Sequence, residues 1–255
     1  MNESSPPSLE FRGRLRPEDG SKPALILVHG AGGSATLWLN QLRHFKPKRS
    51  SLALFLPGHG PEGGPGRESI AEYVEAIRAF LDETKLERVV LAGLSMGGAI
   101  SQLFALTYPE RLAGLVLAST GAKLKVLPLI FETIAKDFEG YLKLMGQFSF
   151  SKSAPEEVKQ LVLEEAREQK PSVVLDDFRA CDAFDVRERL SEIRVPTLVL
   201  SGEDDLLTPP KYSDYLVQHI PGAKLVRFEK AGHLLPVEKP EEFNAAIEKF
   251  LEELG

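Results

Sequence analysis

Cysteine is nearly absent from this chain of 255 residues: Cys181 stands alone. That excludes an intramolecular disulfide and a cysteine-based metal site, and a lone cysteine reads first as a small buried hydrophobe. Basic excess is missing too. The 31 Lys and Arg residues fall short of the 37 Asp and Glu, for a net charge of −6. With no Lys/Arg-rich block, this argues against non-specific binding to nucleic acid or to an anionic membrane surface. No apolar run approaches the ~20 residues that a membrane span needs. The first ten residues are polar and proline-bearing, unlike the apolar core of a signal peptide. The expectation is a soluble, cytoplasmic protein without nucleic-acid or membrane partners.

What is present is an ordinary globular balance, 43% hydrophobic and 27% charged, long enough for one large domain or a core carrying an insertion. Short apolar, β-branched runs at 24–28, 52–56, 89–91 and 114–118 alternate with helical-period segments at 37–45, 69–83 and 96–108. In 69–83, Ile70, Val74, Ile77 and Leu81 recur three or four apart, with Ser69 as N-cap and Glu72 at the capping-box position. Strands alternating with helices predict right-handed βαβ units and a mainly parallel, twisted sheet with helices on both faces. The rhythm returns near the end, with a strand at 197–200, a helix near 210–219, a strand at 224–228 and a helix at 240–254. Residues 9–15 predict an antiparallel edge strand.

Residues 122–190 break this rhythm. They hold no strand pattern, and their helical stretches are separated by Pro155 and Pro171. The segment 127–148 carries Leu129, Ile130, Phe131, Ile134, Phe138, Tyr141, Leu142, Met145 and Phe148, more than one face of a surface helix normally holds. Either these side chains simply cover the core, or they form a helical cap that is dry toward a cleft. The interruption of a regular α/β pattern favours the cap, inserted into a core formed by 1–121 and 191–255.

The chemistry concentrates in Gly93-Leu94-Ser95-Met96-Gly97, between a predicted strand and a predicted helix. As a pattern alone this is weak; its position supplies the specificity. A serine in a sharp strand-to-helix turn is held in a strained conformation that exposes its hydroxyl, and side chains two residues either side would collide with neighbours. The following helix directs its positive end at the serine. A serine nucleophile also needs a base and an orienting acid. His233, in Ala231-Gly232-His233 just after a strand, is the best base. His44 and His219 fall on amphipathic helices and read as surface residues, whereas His29 and His59 adjoin glycines in loops and are expected to line the cleft. The acid should lie at a strand end between Ser95 and His233, where Gly202-Glu203-Asp204-Asp205 is the acidic cluster that fits.

Serine, acid and histidine in that order, with the glycine-flanked serine, resemble the serine hydrolases of the α/β-hydrolase superfamily, and the resemblance spans nearly the whole chain. His29-Gly30-Ala31-Gly32-Gly33 is similar to the family's oxyanion loop. Pro57-Gly58-His59-Gly60 is similar to the loop after the next strand, although Phe55 stands where many relatives have Asp, which removes a loop-fixing interaction. The family spacing from Gly202 and Pro209 selects Asp205 as the acid and leaves Asp204 to cap the following turn or to face solvent. It also implies backbone N–H donors at Ala31 and Met96 for an oxyanion, a cap inserted after the sixth strand, and no metal or organic cofactor.

The expected partner is a small-molecule ester or lactone. Ser95 sets the chain apart from relatives with a carboxylate nucleophile, and Leu234 stands where ring-cleavage-product hydrolases usually place Trp. The stretches 94–98 and 109–112 are similar to 3-oxoadipate enol-lactonases, which bind a dianion. Arg167 and Arg179 are the cap arginines that could hold one, though surface roles are commoner. An apolar cap without an assigned anion site favours neutral carboxylic esters. An enol-lactonase or a carbon–carbon bond hydrolase is the alternative, and a binding module without activity is disfavoured because every triad position is occupied.

Overall fold

The computed structural model describes residues 9–16 and 22–255; most of the polar start of the chain lies outside them. Seven strands, β1 (Phe11–Arg14), β2 (Ala24–Val28), β3 (Ser51–Leu54), β4 (Val89–Leu94), β5 (Leu112–Ala118), β6 (Thr197–Gly202) and β7 (Lys224–Phe228), form one sheet in the order β1-β3-β2-β4-β5-β6-β7. β1 runs antiparallel to β3 at one edge, and the remaining pairings are parallel. The helices are α1 (Leu39–Phe45), α2 (Ile70–Glu83), α3 (Met96–Thr107), α4 (Pro128–Lys136), α5 (Phe138–Phe148), α6 (Glu156–Arg167), α7 (Pro171–Ala183), α8 (Pro210–His219), α9 (Leu235–Glu238) and α10 (Pro240–Glu253). Among the described residues, no helix is long and apolar enough to cross a membrane.

The continuous apolar runs of the central strands follow from burial on both faces. Alternate residues point to opposite sides. Ile26, Val28, Leu91, Leu115 and Leu117 join α2, α3 and α8 in one core. Leu25, Leu27, Val90, Ala92 and Val116 join α1 and α10 in the other. The helix starting at Ile70 is capped as its sequence predicts, with the Ser69 hydroxyl accepting from the Glu72 N–H at 3.2 Å.

Sheet order locates the cleft. From β2 the chain turns to β3 on one side, whereas β4 lies on the other side of β2 and leads on to β5. The connections therefore diverge beyond the carboxyl ends of β2 and β4, and such a switch point opens the crevice where open α/β sheets bind ligands.

Helices α4 to α7 make up the excursion at 122–190. It follows the fifth strand of the described residues, not the sixth as the family pattern implied, because a single strand precedes β2 among them. The apolar stretch at 127–148 is two helices rather than one. Asp137 leaves the helical region at φ −150° and its side chain accepts from the Gly140 N–H, which ends α4 and caps α5. The apolar side chains of this stretch fall into three groups. Ile130 and Phe131 pack against the main core, Ile134, Tyr141 and Leu142 form a separate core with Val174 of α7, and Leu129 and Phe148 are exposed.

Candidate active site

Ser95 sits between β4 and α3 at φ 55° and ψ −115°, a left-handed conformation that a side chain tolerates only under external restraint. The restraint is visible. Its N–H donates to Ala118 O at 2.9 Å, and its carbonyl accepts from Thr120 Oγ1 at 2.8 Å and from the amides of Gly98 and Ala99. The flanking glycines are sterically required. A Cβ on Gly93 would lie 2.0 Å from Gly97 O, and one on Gly97 would lie 2.2 Å from Val28 O. The Ser95 residue itself is half-buried, at the positive end of α3.

The loop after β2 lies directly against this turn: a Cβ on Gly30 would stand 3.2 Å from Ser95 Cβ and 3.8 Å from its Oγ. Three hydrogen bonds shape the loop. His29 Nδ1–H donates to Gly30 O at 2.8 Å, the Gly33 N–H donates to Gly30 O at 3.1 Å, and the Gly32 N–H donates to Asp177 Oδ2 at 2.8 Å. Among the described residues, nothing takes up the N–H of Ala31 or of Met96.

Asp205 and His233 come together at the ends of β6 and β7. His233 Nδ1 lies 2.9 Å from Asp205 Oδ2 and 3.1 Å from Oδ1, and the two residues are only 4% and 2% exposed. Asp205 also accepts from the amides of Leu207 and Thr208, each at 2.9 Å, and from the Thr208 hydroxyl at 2.8 Å. Burial opposes its ionisation, but the charge and hydrogen bond of His233 and the Thr208 donors outweigh burial, so its carboxyl lies below the usual range. With Nδ1–H given to Asp205, the free lone pair of the ring is on Nε2. Of the two roles open to Asp204, capping the turn or facing solvent, the second holds: Asp204 is exposed, and Asp205 accepts the turn amides. No hydrogen bond joins the Ser95 hydroxyl to His233 among the described residues; such contacts commonly lengthen without substrate and tighten in the Michaelis complex.

The expectation that His29 and His59 line the cleft is corrected. Both are buried. His29 accepts the Leu56 N–H on Nε2 at 3.2 Å, and burial followed by the nearby His59 lowers its pKa to about 3, so it is neutral scaffolding for the loop. His59 Nε2 contacts Asp177 Oδ2 at 2.8 Å and its Nδ1 faces Pro57 O at 3.1 Å. Burial would lower its pKa, yet the charge and hydrogen bond of Asp177 and two backbone carbonyls raise it above the ordinary value.

Two carboxylates were not singled out from sequence. Glu238 accepts from the amides of Ser151, Gly232 and Leu234 at 2.9, 3.0 and 3.1 Å, while the His233 N–H donates to Ser149 O at 2.9 Å. The histidine loop is thus held between α9 and the linker after α5. Asp177 of α7 is the second. Arg167 and Arg179 of the helical segment both have carboxylate partners. Arg167 pairs with Glu139 through two contacts at 2.8 and 3.1 Å, and Arg179 pairs with Glu68 and Asp176. A cavity of about 280 Å³ lined by Lys123, Lys125, Arg187, Lys211 and Tyr212 contains none of Ser95, Asp205 or His233.

Comparison with known proteins agrees with this architecture. The model of the "Alpha/beta hydrolase family" matches residues 25–246. "3-oxoadipate enol-lactonase 2" of Acinetobacter baylyi is 28% identical over 239 residues, covering 89% of this chain and 88% of that protein. A solved thermophilic esterase is 34% identical with a TM-score of 0.80, covering 97% of this chain and 99% of that one. The enol-lactonase from Burkholderia xenovorans LB400 superposes with a TM-score of 0.90 at 23% identity, covering 96% of both chains, a likeness of fold. The chain belongs to the alpha/beta hydrolase family.

Proposed function

We propose that this alpha/beta hydrolase cleaves carboxylic esters of small, mostly apolar molecules through an acyl-enzyme on Ser95. The observation that carries the reading is the strained Ser95 turn, since a non-glycine residue is held in such a conformation only where surrounding structure fixes it, commonly at functional sites. Ser95 Oγ attacks the acyl carbonyl while His233 Nε2 takes its proton. Asp205 holds the imidazole in that tautomer and stabilises its charged form. The oxyanion of the tetrahedral intermediate accepts from the Ala31 and Met96 amides, which have no partner among the described residues, and one such donor is worth about 3 kcal/mol in the transition state. Collapse expels the alkoxide, which leaves with the proton from His233. Water, deprotonated by the same base, then releases the carboxylic acid and restores Ser95.

Neutral substrates are favoured because Arg167 and Arg179 are already paired with carboxylates. Helices α4 to α7 serve as the cap: Tyr141 Oη and Val174 lie 3.2 and 3.3 Å from where a Gly32 Cβ would stand, directly over the loop beside Ser95. A lactonase is the second reading, favoured by the likeness to the Acinetobacter enol-lactonase. Fluorophosphonate labelling and a panel of p-nitrophenyl acetate, p-nitrophenyl butyrate and a dicarboxylate enol-lactone test both. Labelling at Ser95 and turnover of the two esters, each lost in Ser95→Ala, are expected. Labelling that persists in Ser95→Ala would refute the site, and a higher kcat/KM for the lactone would promote the second reading.

A further inference from the structure

Asp177 lies on α7, within the helical segment, and is fully buried among core elements. Its Oδ2 accepts from the Gly32 N–H and from His59 Nε2–H, both at 2.8 Å, and its Oδ1 accepts from the Tyr73 hydroxyl at 2.5 Å. Tyr73 is fixed in turn by accepting the Arg67 N–H at 3.0 Å. Both ring nitrogens of His59 face oxygen acceptors, Asp177 on one side and Pro57 O on the other, an arrangement suited to imidazolium. A carboxylate buried beside the oxyanion loop is therefore balanced by a cation and has each oxygen hydrogen-bonded, as a buried ion pair requires.

The location of this pair gives it a consequence for catalysis. Gly32 adjoins Ala31, and of the amides at 31, 32 and 33, the latter two are committed to Asp177 and to Gly30 O. Anchoring Gly32 fixes the peptide plane on one side of Ala31, while the His29 and Gly33 bonds to Gly30 O fix the other. We propose that Asp177 is a positioning residue, contributed by the cap, that holds the Ala31 N–H in line with the oxyanion. The inference rests on the acyl-enzyme reading of Ser95. It also assigns the cap a role beyond covering substrate: docking of α7 completes the oxyanion site. The carboxylate that Phe55 does not supply to the neighbouring loop comes to it from α7 through His59.

Asp177→Asn tests this, because the amide presents N–H where Gly32, His59 or Tyr73 already donates. A misplacement of about 1 Å at a reacting group costs on the order of 100-fold. We expect kcat for p-nitrophenyl butyrate to fall by about that factor with KM within about threefold, the signature of an interaction made in the transition state. Affinity for phenylboronic acid, whose anionic tetrahedral adduct on the Ser95 hydroxyl occupies the oxyanion position, should fall in parallel. A smaller folded fraction would also lower apparent kcat at constant KM, but it leaves the inhibition constant of phenylboronic acid unchanged, so a kcat loss with wild-type boronate affinity would overturn the positioning role. Should Asp177→Asn fail to fold, Tyr73→Phe removes one donor from the same carboxylate, and kcat and boronate affinity should both fall by about threefold to tenfold. Activity that persists in Ser95→Ala would overturn the acyl-enzyme reading and this inference with it. Activity abolished in Ser95→Ala, with kcat and boronate affinity unchanged in the folded Asp177 or Tyr73 variant, would overturn this inference alone.

Discussion

Asp204 and Asp205 are adjacent, chemically identical and separated by the structure, so exchanging each for Asn isolates the role of one carboxylate. Asp205 accepts four hydrogen bonds, from the Leu207 and Thr208 amides, the Thr208 hydroxyl and His233 Nδ1–H. An Asn keeps one oxygen for the two amides but turns its NH2 group toward Thr208 and His233. His233 then avoids a donor–donor clash by moving its proton to Nε2, which places the lone pair on the wrong side of the ring. Loss of the orienting carboxylate in a serine triad costs about 10⁴ in kcat. Loss of the charge-assisted bonds costs about 2 kcal/mol of stability, or on the order of 4–8 °C for a chain of this size. Asp204 is exposed, so Asp204→Asn should change stability by less than about 0.5 kcal/mol and leave kcat nearly intact. Turnover of p-nitrophenyl butyrate and scanning calorimetry on both variants read the contrast. Near-normal kcat in a folded Asp205→Asn protein would refute the assignment, and exchanged phenotypes would show that Asp204 is the acid.

The two buried histidines should impose opposite pH dependences on stability. His59 has a raised pKa and is faced by Asp177 of α7, whose other oxygen binds Tyr73 of α2, and by His29 after β2, so its contribution is complete below the unfolded value of 6.5 and is lost as pH rises through the folded value. In urea denaturation, the stability difference between wild type and His59→Gln should shrink at alkaline pH; a difference that grows there would contradict the ion pair. His29, lowered to about 3, stabilises fully above 6.5 and its contribution is lost as pH falls from 6.5 toward that value. Glu238→Gln should lower both melting temperature and kcat, since the amide group faces N–H donors in the loop carrying His233. A variant with a lower melting temperature and unchanged kcat would limit Glu238 to holding the fold.

Much of the fold was legible because its signals are local. The apolar runs of β2, β4 and β5, the helical spacing in α2 and the Ser69 cap each act within one element, and the structure places the elements accordingly. The Ser95 turn was legible for a related reason: Gly93 is required by Gly97 O within the turn itself, although Gly97 is required by Val28 O of the neighbouring β2. One local signal was missed. Asp137, with its side chain on the Gly140 N–H, is an N-cap that divides 127–148 into α4 and α5, and the density of apolar residues around it concealed the break.

The contacts that orient the site were hidden for a different reason, because they join residues distant in sequence. Gly32 and Asp177 are 145 positions apart, and His59 and Asp177 are 118 apart. In sequence, nothing in Asp176-Asp177 tells one acid from the other. A helix turns its side chains by about 100° per residue, so the partners of the two differ completely: Asp176 meets the exposed Arg179, whereas Asp177 points into the core. Asp204 and Asp205 make the same division at a strand end. In each pair, composition supplies two equivalent carboxylates and packing commits one to buried donors. That selection depends on which surface lies opposite, the loop after β2 for Asp177 and the loop after β7 for Asp205. Charge pattern can locate such pairs in a sequence, but only the facing element decides which member is buried, and so which one positions the site.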